Sequence, residues 1–191
     1  MPVRRVSVTK SGFWLVEVLV ALLVVALGIA GAAGLQARAL RAGRDAARLS
    51  AGTQLASSLA ERMRANPAAM ASSDAGNPYL QLDYDAAAGA PAQAAPCHAG
   101  ADCTPAQLAA FDLFETEQAV AEGLPGGRIR VCRDATPPDP ASGLEPWACD
   151  GQAGAPLAIK LGWRGAGEPD APRLLLLVGA GPAAAVPAGA P

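Results

Sequence analysis

Between Phe13 and Leu35 the sequence FWLVEVLVALLVVALGIAGAAGL carries one ionisable side chain, Glu17. A carboxylate taken into a bilayer costs roughly 2.5 to 3.5 kcal/mol on insertion scales, so an acid kept near one end of such a run implies a partner for its charge. The other reactive side chains lie far downstream. Cys97, Cys103, Cys132 and Cys149 all follow the apolar run. An even number of cysteines in a short exported domain reads as two disulfides formed in an oxidising compartment such as the periplasm, with three connectivities open to them. His98, the one histidine, adjoins Cys97, but Cys-His-x4-Cys lacks the paired spacing of a zinc site, and a solvated loop histidine is the better reading. No serine stands in a nucleophile-elbow motif, and no glycine run follows a strand and opens a helix as a phosphate-binding loop does. The sequence therefore predicts no catalytic residue, no metal, no cofactor and no enzyme.

The 191 residues leave room for one modest domain and an accessory segment. Hydrophobic residues make up 51%, a figure raised by alanine and by the single apolar block. Arg4, Arg5 and Lys10 precede that block without any acid; removal of residues 1–12 would leave 12 basic against 17 acidic side chains, a net charge of −5. An acidic chain is a poor generic binder of nucleic acid.

These residues need elements to position them. The apolar run is 23 residues long, enough as a helix to cross a hydrocarbon core of about 30 Å. An ordinary secretory signal, cut at a small-residue site such as Ala30-Gly31-Ala32, is one alternative. The run is long for that, and the acid within it is unusual. A plain single-pass anchor fits the length but leaves Glu17 unpaired. Arg38, Arg41, Arg44 and Arg48 follow the span and oppose the bias of the leading cations, so charge alone does not fix orientation. These arginines share a helix face, read as a solvated stripe or a headgroup contact rather than a DNA site. The helical pattern continues through Leu55, Leu59 and Met63 to Asn66-Pro67, giving one helix from Phe13 to near Ala65, about 75 to 80 Å long. Gly28, Gly31 and Gly34 either admit close helix packing or mark a place of local unwinding.

Residues 66–96 read mostly as loop, with Tyr79 to Tyr84 alternating like a strand. Thr104-Pro105-Ala106-Gln107 predicts a helix start, and that helix, carrying Leu108, Phe111 and Phe114, should end near Gly123. Leu124-Pro125-Gly126-Gly127 is a turn. Strands are expected at 128–133, 157–164 and 173–178, and residues 179–191 as an unstructured tail. By sequence proximity the expected disulfides are Cys97 with Cys103 and Cys132 with Cys149.

Lys10-Ser11-Gly12-Phe13-Trp14-Leu15-Val16-Glu17-Val18-Leu19 resembles the class III leader junction of type IV pilins and pseudopilins. The resemblance implies that a prepilin peptidase/N-methyltransferase cuts between Gly12 and Phe13 and methylates the new amine of Phe13. It also implies that Glu17 pairs with the N-terminal amine of a neighbouring subunit during assembly. Trp14 stands where the family commonly has a small polar residue, a departure compatible with slower cleavage. Downstream, Asp112-Leu113-Phe114, Leu124-Pro125-Gly126-Gly127, Val131-Cys132-Arg133-Asp134, Cys149-Asp150-Gly151 and the strand ending in Trp163 resemble the head of PilV-type minor pilins. Thr116 replaces a tryptophan frequent there, which implies different packing of that helix.

The expected fold is α+β and type IV pilin-like: a long N-terminal hydrophobic and amphipathic helix on a small antiparallel sheet, with a short second helix and two disulfides. Its segments are a leader, 1–12; the helix, 13–65, with 13–35 in the membrane; a globular head, 66–178; and a flexible tail, 179–191. The resemblance implies a minor pilin that primes assembly of a type IV pilus within a tip complex, supporting twitching motility and surface adhesion. Its implied partners are other minor pilins, the major pilin, a PilY-type tip adhesin, the prepilin peptidase and the inner-membrane assembly platform. The implied location is the bacterial inner membrane, head in the periplasm, and then the extracellular pilus. The alternatives are a minor pseudopilin of a type II secretion system, a secreted binding domain, and a DNA-uptake pilin, which the acidic balance disfavours.

Overall fold

The computed structural model describes residues 15–98, 102–136, 138–141, 143–164 and 170–179. The chain divides into two compact units, Met1–Asp45 and Ala46–Pro191. Helix α1, Leu15–Ala65, is continuous over 51 residues. Asn66 then caps a single turn, α2 (Pro67–Met70), its side chain accepting from the Ala69 amide. Short 3-10 turns at Asp74–Gly76 and Pro78–Gln81 lead into β1 (Asp83–Asp85). Helix α3 (Pro105–Gly123) is followed by β2 (Arg128–Arg133), β3 (Leu157–Gly162) and β4 (Leu174–Val178).

The expected start of α3 is present as a reciprocal capping box between Thr104 and Gln107, with Pro105 in the first turn. The turn after it places Gly126 at φ 57, in the left-handed region that glycine adopts without strain. One expectation is corrected. Tyr79 to Tyr84 does not form one strand: Pro78–Gln81 is a 3-10 turn, and the strand begins only at Asp83. The Asn77 side chain accepts from the Tyr79 amide, and Pro78 fixes the turn's first φ, so local capping overrides the alternating pattern. The two later strands are also shorter at one end than the pattern predicts, at 157–162 and 174–178.

The strands form an antiparallel sheet in the order β1-β2-β3-β4, every pair adjacent in sequence. Side chains alternate between the two faces. On one face Ile129, Val131, Leu157, Ile159 and Leu161 join Ala56, Leu59, Ala60 and Met63 of α1 and Ala109 and Val120 of α3 in a single core. Gly52 admits the helix to this face, because a Cβ there would lie 2.9 Å from the Trp163 ring. Thr116 is buried and donates its hydroxyl hydrogen to the Asp112 carbonyl at 2.7 Å. All six residues of β3 are buried. Helices cover only one of its faces; the segment between β2 and β3 covers the other.

Candidate functional site

Two arrangements stand out, one in each unit. In the first, the surface of α1 from Leu15 to Leu35 is exposed throughout: Leu15 is 76% accessible, Leu27 65% and Leu35 68%. Glu17 lies in the first turn of this helix. Among the described residues no hydrogen-bonding or charged partner reaches it. Gly28, Gly31 and Gly34 face open space, so nothing among the described residues requires them to lack side chains. The helix runs unbroken through all three. This is the one described helix long and apolar enough to cross a membrane. The expected cleavage and methylation residues, Gly12 and Phe13, lie outside the described residues.

The second arrangement is the loop between Arg133 and Leu157, laid across the far face of the sheet. Cys132 at the end of β2 is bonded to Cys149 in the loop, and Cys97 to Cys103. Beneath the loop lies Lys160, fully buried in the middle of β3. Its ammonium contacts Asp134 Oδ2 and donates to the carbonyls of Pro146 at 2.7 Å and Ala148 at 2.8 Å. Arg130, its cross-strand neighbour, donates to the intervening carbonyl of Trp147 at 3.3 Å. Three consecutive loop carbonyls are thus held by two sheet cations. Gly162 leaves room for the Trp147 ring, since a Cβ there would lie 2.8 Å from it, and the Arg128 guanidinium stacks 4.5 Å from the ring centroid.

Asp134 closes the arrangement. Its Oδ1 accepts from the amides of Thr136 at 2.9 Å and Asp150 at 3.3 Å. Burial opposes ionisation of this carboxyl, but the hydrogen bonds from Lys160, Thr136 and Asp150 outweigh it and hold the pKa at about 2. Cys132, Asp134 and Cys149 lie close enough together to suggest a metal site. The two sulfurs are bonded to each other, which leaves no thiolate to act as a ligand. His98 is exposed, its ring tilted against Phe111 at 5.5 Å between centroids.

A second buried polar knot ties the end of α1 to α3. Asp112 accepts from Arg62 at 2.9 Å and from the Tyr79 hydroxyl at 2.7 Å. Asn66 donates to that hydroxyl at 3.3 Å and to the Pro105 carbonyl at 2.8 Å. Sequence reading missed both knots. The available clues were a lone lysine within Leu157-Ala158-Ile159-Lys160-Leu161 and a lone acid within Ala109-Ala110-Phe111-Asp112-Leu113-Phe114.

A long, exposed apolar helix, a short second helix, a four-stranded antiparallel sheet and two disulfides define the pilin-like α+β class. Residues 34–114, somewhat under half of the chain, match the family model described as Tt1218-like: Type IV pilin Tt1218. Over that segment the chain is similar to type IV pilins. The match takes in α1 from Gly34 onward, the turns around Tyr79, β1 and the first half of α3. No curated protein and no solved structure matches the chain.

Proposed function

We propose that this chain is a PilV-type minor pilin that primes type IV pilus assembly. In this reading it is cut between Gly12 and Phe13 and methylated on Phe13. Residues 13–35 anchor it in the inner membrane with the head in the periplasm, until it passes into a tip complex with other minor pilins, the major pilin and a PilY-type adhesin. The observation that carries the reading is Glu17, a single carboxylate in the first turn of an exposed apolar helix, with no partner among the described residues. An acid in low dielectric is expensive alone and strongly stabilised by an ammonium. A neighbouring subunit's N-terminal amine supplies that cation, and the pairing brings two apolar helices together. The clamped loop and the knot at Asp112 then serve to present a rigid head surface to neighbouring subunits.

Intact mass measurement of the mature chain tests the reading, with a start at methylated Phe13 expected. Gly12→Leu should leave the precursor uncut, and Glu17→Ala should be cut but poorly represented in sheared surface filaments. A mature chain beginning beyond residue 30, or normal filament number and motility with both variants, rejects the proposal. Normal filaments together with a defect in protein secretion would favour a type II secretion pseudopilin instead.

A further inference from the structure

Two sets of described cations differ in their partners. In the unit beginning at Ala46, each of Arg62, Arg64, Arg128, Arg130, Arg133 and Lys160 has a carboxylate oxygen within 3.6 Å. In the other unit, Arg38, Arg41 and Arg44 are exposed, and among the described residues none has a carboxylate partner. Their spacing of three places them along one side of α1. They begin immediately past the end of the exposed apolar run at Leu35. At 1.5 Å per residue, Arg38 lies about 4.5 Å, Arg41 about 9 Å and Arg44 about 13.5 Å beyond Leu35 along the axis. The polar layer on each side of the hydrocarbon core is about 5 to 8 Å thick. An arginine stem can also lean several ångströms toward the head group it binds.

We propose that Arg38, Arg41 and Arg44 form a collar that grips phospholipid phosphates of the leaflet on the side of the head. The proposal rests on the reading that residues 13–35 span a bilayer. The guanidinium fork matches phosphate oxygens in a bidentate way, and its charge is present at any physiological pH. A row of such contacts fixes the depth of the helix, and with it the level of Glu17, before assembly. On extraction from the bilayer the collar must exchange lipid phosphates for other anions, so it also resists premature release. An acidic surface on a neighbouring protein is the competing partner. The lipid is favoured because the collar directly adjoins the apolar run, where headgroups are the nearest anions.

The test uses the full chain, labelled with 13C at the arginine guanidinium carbon, in vesicles of phosphatidylcholine and phosphatidylglycerol. The readout is dephasing of that carbon by lipid 31P in magic-angle-spinning NMR. A rapidly dephasing component is expected, and it should be lost in the Arg38→Gln, Arg41→Gln, Arg44→Gln triple variant. Both chains should resist carbonate extraction. Extraction of the wild-type chain would show that the membrane span itself is wrong. An integral wild-type chain that dephases no faster than the triple variant overturns the collar alone. The same spectra with poor filament incorporation of the triple variant would assign the arginines to a protein carboxylate, which also overturns the proposal.

Discussion

Lys160 and Asp134 meet beneath the loop that they close, the lysine side chain 0% and the aspartate side chain 3% accessible. Neither charge can turn to water, so each depends on the other and on the loop carbonyls and amides around it. Removing one partner of a buried pair costs about 3 to 5 kcal/mol, because the survivor remains charged and desolvated. Lys160→Met and Asp134→Leu should each destabilise the head by that order. The Lys160→Met/Asp134→Leu double variant should be far less affected than the sum of the singles. Denaturant unfolding of the detergent-solubilised chain checks this, with the coupling taken from the cycle.

The same pair sets a pH dependence. The Asp134 carboxyl is held at about 2, below the 3.8 of the free side chain. A depressed carboxyl stabilises the fold above its unfolded value, and that contribution is lost as pH falls through the folded value. The window is therefore about pH 4 down to pH 2, and the contribution is on the order of 2 kcal/mol. Glu117, raised by burial, acts in the opposite direction and weakens the fold as its carboxyl ionises. Urea midpoints between pH 7 and pH 2 should show a fall that is shallower in Asp134→Asn, which lacks the titrating group.

The two disulfides should contribute unequally. Cys132 and Cys149 are separated by 17 positions, and Cys97 and Cys103 by 6. Chain entropy alone gives about 3 kcal/mol for the longer loop and about 2 kcal/mol for the shorter. The longer loop also carries the carbonyls that satisfy Lys160, whereas the shorter one closes ahead of α3 without a described buried charge. Cys132→Ala/Cys149→Ala should therefore lower the unfolding midpoint more than Cys97→Ala/Cys103→Ala. It should also expose the far face of β3, read as faster exchange of the Lys160 amide.

Local chemistry in the sequence accounts for α3, where Thr104, Pro105 and Gln107 write the cap, and for β2 to β4, where apolar residues alternate or run on. Glu17 stands out for a different reason: a lone acid in an apolar run is expected to need a partner for its charge. The turn at Pro78 is harder to read, because the alternation from Tyr79 to Tyr84 and the capping residue Asn77 make competing claims on the same backbone. Lys160 is harder still. In a strand with one wet face, alternation places this lysine in solvent. The loop from Arg133 to Leu157 dries that face, and its path depends on a disulfide and on carbonyls supplied from 12 and 14 residues away. Periodicity within a strand carries no information about such a cover.

The knot at Asp112 offers a test of how the end of α1 is fixed to the head. Tyr79 donates to Asp112 at 2.7 Å while accepting from Asn66, and Arg62 holds the other carboxylate oxygen at 2.9 Å. Burial, reinforced by the hydrogen bond to Asp112, raises the Tyr79 hydroxyl well above its ordinary pKa, so it remains a donor across the working range. Tyr79→Phe keeps the ring in the core and deletes only the hydroxyl. It leaves one buried Asp112 oxygen without this donor and one Asn66 proton without this acceptor, at a cost of about 1 to 3 kcal/mol. Arg62→Ala removes the charge that balances the same carboxylate. Because both substitutions act on one group, their effects should not add: once Asp112 has lost Arg62 its carboxylate is free to turn, and loss of the hydroxyl then matters less. A coupling of about 0.5 to 3 kcal/mol in the double-mutant cycle is expected, and strict additivity would show that the two contacts hold the helix end independently.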